Sequence, residues 1–100
     1  MSSSVITVKL PGRFDFSQHQ FFCENIDGWL SADNINQLEF DFSQVQYLDS
    51  SALGMLIMLA KKADARDIRV SIRAASGVAY DILMMANMQQ LYSINKESAA

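Results

Sequence analysis

The sequence predicts an α/β domain of about four strands in the order β-α-β-α-β-α-β, with the helices mainly on one face of the sheet. Three observations carry that expectation. Runs that alternate apolar and polar residues, the period of a half-buried strand, occur at residues 5–10, 38–42 and 68–72. Longer runs with helical spacing separate them, and such crossovers favour parallel neighbours with right-handed connections. The strands alternate instead of reading as the unbroken apolar runs of a sheet covered on both faces, so one face is expected to stay open. A single domain is expected across residues 1–100, with residues 1–4 and 97–100 as frayed ends.

In the first strand Ile6, Val8 and Leu10 point one way and Val5, Thr7 and Lys9 the other. Pro11 and Gly12 end it as turn residues. A helix is predicted over residues 18–30. Ser17 and Gln20 have capping-box spacing, and Phe16 and Phe21 stand where a hydrophobic staple would close over it. Phe22, Ile26, Trp29 and Leu30 recur at i, i+4, i+7 and i+8, which makes one buried face. Polar residues 31–37 lead to the second strand, where Leu38, Phe40 and Phe42 alternate with Glu39 and Asp41.

After a loop at residues 43–49, which offers Val45, Tyr47 and Leu48 for packing, a second helix is predicted over residues 51–63. At ~100° per residue, Leu53, Leu56, Ile57 and Ala60 share the inward face and Ser51, Met55, Met58 and Lys62 the opposite one. Two methionines on an outward face have two readings: neighbouring loops cover them, or they form an adaptable partner-binding strip. A charged turn at residues 64–67 precedes the third strand, with Ile68, Val70 and Ile72 inward and Arg69, Ser71 and Arg73 outward. Ser76 is expected to cap a third helix over residues 77–88, with Val78, Ile82, Met85 and Ala86 inward. Residues 91–94 make a short last strand. Lys9, Glu39, Asp41, Arg69 and Arg73 would then share the open sheet face, where opposite charges on neighbouring strands pair weakly.

Composition narrows the function. The 100 residues are 50% hydrophobic and 19% charged, which suits a folded domain and not a disordered chain. The net charge is −3 and the longest basic run is Lys61–Lys62, so direct nucleic-acid binding is not expected. One cysteine and one histidine make neither an internal disulfide nor a Cys/His zinc site, and no metal or cofactor is expected. The N-terminus has no basic region ahead of an apolar core, and the longest apolar run, residues 55–60, is far short of the ~20 residues of a membrane helix. These features predict a soluble, cytoplasmic protein without membrane insertion.

The most informative stretch is residues 40–62, FDFSQVQYLDSSALGMLIMLAKK. It reads as a strand, a turn and a helix, and the turn delivers Ser50 and Ser51 directly behind Asp49. Ser50 stands where a helix N-cap belongs. The positive end of the helix dipole would also favour a phosphate on that hydroxyl. The two roles are compatible, and the local pattern leaves both open. Catalysis by this serine is not expected. A nucleophile needs a base and an orienting group. The one histidine, His19, falls in the first turn of the first helix, and the chain has no G-x-S-x-G, G-x-x-x-x-G-K-[ST] or G-x-G-x-x-G motif. His19 reads as a solvated helix residue and Cys23 as a small packed hydrophobe.

Asp41, Ser43, Val45, Tyr47, Leu48, Asp49, Ser50, Ser51 and Leu53 match in register the pattern D-L-S-x-V-x-[FY]-[IL]-D-S-S-G-L, which resembles the signature of STAS domains, the anti-sigma factor antagonists and their relatives. Gly12-Arg13-Phe14-Asp15 is similar to the G-x-[LF]-D motif that such domains carry after their N-terminal strand. Residues 83–94 are similar to the family's final helix, connector and last strand. The chain departs from the pattern at Ala52, where Gly is usual, in having one strand ahead of Gly12 where many relatives have a hairpin, and in lacking Gly at residues 64–67.

The resemblance implies a STAS-like fold and a non-enzymatic partner switch. On that reading the domain binds an anti-sigma factor that is also a serine kinase of histidine-kinase-like ATPase fold. The kinase phosphorylates Ser50, with Ser51 the runner-up, and the complex breaks. A PP2C-type phosphatase restores it. Asp15, Asp49, Ser51, Met55, Met58 and Lys62 are the implied partner-binding residues. The alternative is a non-enzymatic STAS docking subunit of a larger assembly such as a lipid-transport ABC complex. The open sheet face and the Met55–Met58 strip are candidate homodimer contacts.

Overall fold

The computed structural model describes residues 4–32 and 35–96. Four parallel strands form the main sheet: β1 (Ser4–Lys9), β3 (Ile35–Asp41), β5 (Arg69–Ala75) and β6 (Ser93–Lys96), side by side in that order. Two short segments, β2 (Arg13–Phe14) and β4 (Tyr47–Leu48), make a second, two-stranded parallel sheet. The helices are α1 (His19–Ser31), α2 (Ser50–Asp64) and α3 (Gly77–Met85). The chain steps across the main sheet in one direction, so right-handed crossovers put all three helices on the same face. Burial follows: Leu38, Phe40 and Ile72 are fully buried, while Thr7, Lys9, Arg69 and Arg73 on the other face are exposed. The α/β class, the alternation of the four main-sheet strands with helices and the one-sided cover agree with the sequence, while β2 and β4 form where it reads only a lead-in and a loop.

The core is aromatic along its length. Phe14 stacks on Phe22 at 5.2 Å, Phe22 on Phe40 at 5.5 Å, and Phe40 meets Tyr92 at 6.3 Å. The buried Tyr92 hydroxyl donates to the Leu56 carbonyl at 2.7 Å, which pins the last connector to α2, and burial raises its phenol above the ordinary range. On the open face Asp41 lies in register between Lys9 and Arg73. Partial burial alone would raise its carboxyl. Hydrogen bonds from Ser43 and the charges of Arg73 and Lys9 outweigh that and lower it.

Several local expectations are corrected. A 3-10 turn (Phe16–Gln18) precedes α1. Asp15 caps that turn, so Ser17 and Gln20 form no capping box, and the Gln20 side chain donates instead to Glu24 at 2.9 Å. Phe16 and Phe21 make no staple: Phe16 stacks on His19, Phe21 on the edges of Phe22 and Trp29, and both are exposed. Helix α1 takes in Ser31, and β3 starts at Ile35, inside the stretch read as a linker.

The buried face of α2 is Ala52, Met55, Leu56, Leu59, Ala60 and Ala63, rotated by roughly a quarter turn from the expected one. Met55 therefore faces the core at 3% exposure and Ile57 faces out. Three of the six residues on this face, Ala52, Ala60 and Ala63, are alanines. Helix α3 departs in the same way. Ala79 and Leu83 face in, while Val78, Met85 and Ala86 are exposed. It stops at Met85, and a 3-10 turn (Met88–Gln90) carries the chain to β6, which starts at Ser93 and not at 91. Ser71 is buried although its neighbours on the open face are not, and its hydroxyl accepts from the Gln37 amide at 2.9 Å, which offsets the cost of burying it. Of the ends expected to fray, Ser4 begins β1 and the others lie outside the described residues.

Candidate functional site

The small sheet joins the two segments that carry sequence motifs. Arg13 pairs with Tyr47 and Phe14 with Leu48. The Gly12 carbonyl accepts from the backbone N–H groups of Gln46 at 2.8 Å and Tyr47 at 3.3 Å. A Cβ at position 12 would sit 3.2 Å from the Gln44 carbonyl oxygen, so a residue without a side chain suits this approach. Phe14 and Leu48 anchor the pair in the core, while the Arg13 guanidinium lies over the exposed Tyr47 ring, 5.7 Å from its centre.

Each of the paired strands leads directly into an aspartate, and each aspartate starts a helical segment. Asp15 accepts from the Ser17 hydroxyl at 2.5 Å, the Arg13 Nε at 2.8 Å and the Ser17 backbone N–H at 3.0 Å. The Ser17 hydroxyl first, and Arg13 next, hold its carboxyl below the usual carboxylate range. Asp49 is extended, and its carboxylate accepts from the Ala52 N–H at 2.9 Å. This corrects the cap expected at Ser50. Asp49 caps α2, where its charge also meets the positive helix end, and Ser50 is the first helical residue. The Ser50 side chain is exposed and released from capping.

Beside this serine runs a shallow groove of about 230 Å³ between the start of α1 and one side of α2. Phe16 and His19 form one wall, stacked at 5.2 Å. Ser51, Gly54 and Met58 form the other, and the buried Met55 contributes to the floor. Phe16 is 64% exposed, which is unusual for so large an apolar ring. Of the expected partner-binding residues, Ser51, Met55 and Met58 thus share one groove. Asp15 and Asp49 stand at the ends of paired strands. Lys62 is exposed but does not line the groove.

Sequence reasoning missed Phe16, His19 and Gly54 as parts of this surface. The available signal was Phe16 itself, an apolar residue outside the buried stripe of α1. Cys23, read as a packed hydrophobe, is exposed, with its sulfur 3.7 and 3.8 Å from the His19 ring nitrogens. Among the described residues no group of three or more His, Cys, Asp or Glu side chains is placed to hold a metal, and no helix is long and apolar enough to cross a membrane.

Comparison with known proteins places this geometry in context. The family model described as "Mlab, STAS domain" matches residues 1–93. A STAS-domain containing protein of Pseudomonas aeruginosa is 34% identical over 90 residues, which cover 90% of this chain and 87% of that protein. Among solved structures, the anti-sigma factor antagonist SpoIIAA in its unphosphorylated form is similar with a TM-score of 0.70 at 14% identity, over 99% of this chain and 84% of that one. A sulfate transporter family protein of Wolinella succinogenes is similar with a TM-score of 0.81 at 13% identity, over 97% of this chain and 82% of that one. A candidate anti-sigma factor antagonist of Thermotoga maritima is similar with a TM-score of 0.79 at 18% identity, over 92% of this chain and 79% of that one. At these identities the structural likenesses speak to the fold.

Proposed function

This chain belongs to the STAS domain family, and on that premise we propose that it is a non-enzymatic anti-sigma factor antagonist switched at Ser50. It binds an anti-sigma factor while the Ser50 hydroxyl is free and releases it once that hydroxyl is phosphorylated. The observation that carries this reading is the division of labour at the start of α2: Asp49 caps the helix and leaves the neighbouring Ser50 exposed beside an apolar groove.

The physical chemistry supports a switch without refolding. A phosphate adds about −1.5 to −2 charge at pH 7, and a helix N-terminus tolerates it where it forms. Asp49 already makes this edge acidic, while the charge of Asp15 on the paired strand is met by Arg13. Added charge repels an acidic partner surface and resists desolvation in a tight contact. Ser51, Met58 and Phe16 supply the adaptable apolar contact, with the kinase-like anti-sigma factor as occupant and a PP2C-type phosphatase as the resetting enzyme. Ser51 lies inside the groove wall, so Ser50 is the better phosphate acceptor of the two.

The test is binding to the candidate anti-sigma factor. Ser50→Ala is expected to bind constitutively and Ser50→Asp to bind poorly, with phosphate mapped to Ser50 by mass spectrometry after incubation with that partner and ATP. Equal binding by both variants, or label on another residue, overturns the switch. A second reading is a docking subunit of a larger assembly such as a lipid-transport ABC complex. It is kept because the matching family model is described as Mlab and not as an antagonist. That reading expects stable retention of the assembly and no label at Ser50.

A further inference from the structure

A cavity of about 530 Å³ lies at the amino ends of the strands, away from Ser50. It exists because β6 is shorter than β5 at this end. Ser71 of β5 pairs with Ser93, the first residue of β6, so Arg69 and Val70 have no partner on that side. The chain that would continue β6 is held elsewhere: the N–H groups of Leu91 and Tyr92 both donate to the Met88 carbonyl at 2.9 Å. A gap is left beside β5, closed on its other side by the end of α2 and the turn that follows it.

The lining has three kinds of group. Asp64 and Asp67 supply carboxylates on one part of the rim, with Asp67 held out by a turn at φ 58°. Arg69 lines the gap from β5, at its exposed position on the open face. Ala60, Ile68, Val70 and Leu91 supply an apolar wall. Behind them the buried Ser71 hydroxyl accepts from the Gln37 amide, which leaves the Ser71 O–H and the Gln37 carbonyl as a donor and an acceptor for the cavity. Among the described residues the one ion pair is Arg13–Asp15. Charges of both signs thus surround one cavity without pairing across it.

We propose that this cavity binds a small zwitterion with an apolar body, an ammonium group meeting Asp64 and Asp67 and a carboxylate meeting Arg69. The volume falls within the range of small-molecule sites, which are typically about 300–1,000 Å³ with a few placed polar groups on an apolar wall. Guanidinium–carboxylate and ammonium–carboxylate contacts are charge-assisted, and they give the orientation that the wall alone does not. A free α-amino acid and a short apolar peptide share this chemistry. The site is independent of Ser50, so its fate does not depend on the partner switch.

The test is titration of the isotope-labelled chain with L-leucine, with Leu-Leu, and with N-acetyl-leucinamide, which keeps the body and loses both charges, read at the amides of Arg69, Ser71, Leu91 and Ser93. Saturable shifts with leucine identify a free amino acid. Saturable shifts with Leu-Leu alone identify a peptide. Arg69→Gln and Asp67→Asn are each expected to weaken binding about tenfold, as loss of one charge-assisted contact does. The proposal is overturned if neither charged probe saturates below roughly 10 mM, where binding is too weak to be specific. It is also overturned if the uncharged probe shifts the same amides equally, or if both variants bind as the parent does.

Discussion

Helices α2 and α3 start at the same edge of the sheet, each behind a strand and each at a serine, yet they are built in opposite ways. Ahead of α2 stands Asp49, extended and hydrogen-bonded to the Ala52 N–H. Ahead of α3 stands Ser76, whose side chain makes no cap bond, followed by Gly77 at φ 56°. Six residues of α2 are buried, on one continuous stripe; two of α3 are, and Met85 is 84% exposed. The difference teaches where a modifiable serine belongs. A serine that is itself the cap position sits at a loosely held start. A serine one residue past an acidic cap sits on a fixed helix with its hydroxyl unspent.

The largest effect should come from the burial contrast. Leu56→Ala, on the fully buried stripe of α2, is expected to cost about 2–5 kcal/mol, whereas Met85→Ala on α3 is expected to stay within about 0.5 kcal/mol. Denaturant unfolding of both variants measures this. Similar losses would mean that the outer face of α3 is covered in solution and that the two helices are alike after all.

Next in size is the cap contrast. Asp49→Ala removes a side-chain bond to a helix N–H and is expected to cost about 1 kcal/mol, within a range of about 0.5–2. In a domain of this size that lowers Tm by roughly 4–8 °C. Ser76→Ala removes no such bond and should leave Tm nearly unchanged. If Asp49→Ala is silent while Ser50→Ala is destabilising, the serine is the cap and the comparison is inverted.

The same contrast shows what the sequence could and could not disclose. Strand alternation at Leu38, Phe40 and Phe42 and at Ile68, Val70 and Ile72 was legible because period-2 burial needs no knowledge of the partner. The motif around Asp49 and Ser50 was legible as chemistry, but its cap was not, because Asp and Ser are both strong capping residues and stand side by side. The phases of α2 and α3 were misread for one reason. The largest apolar side chains suggest one phase, while the buried faces run through Ala52, Ala63 and Ala79, whose small side chains carry little apolar signal. The β2–β4 pair is two residues long on each strand and joins segments more than thirty apart, beyond the reach of any local pattern. Phe16 and His19 reach the groove by that same non-local route.

A smaller effect is expected at the approach to α3. Ala74 sits at φ 60°, where the β5–β6 register shifts. A left-handed conformation costs an L-residue roughly 1–2 kcal/mol. Glycine removes that cost but loses about 0.5–1 kcal/mol of backbone entropy. Ala74→Gly should therefore raise stability by up to about 1.5 kcal/mol, seen as an upward shift of the unfolding midpoint at constant slope. A loss of stability would show that the Ala74 methyl is packed and that this helix start is more firmly held than its backbone suggests.

The smallest expected effect asks whether the acid alone makes the difference. Ser76→Asp places at α3 the residue type that caps α2. An anion at a helix N-terminus is worth about 0.3–1 kcal/mol when exposed. The gain belongs to the ionised form, so the helix end depresses the carboxyl, and the added stability should be present at neutral pH and fade as pH falls through the folded-state value. Melting the variant and its parent at neutral and acidic pH separates the cases. A gain that vanishes in acid means that α3 lacked only the charge. No gain at either pH means that Gly77 at φ 56° turns the first N–H groups away from position 76. The α2 start would then owe its geometry to the β2–β4 pair that delivers Asp49, and that pair, more than the acid, would be what leaves Ser50 free for modification.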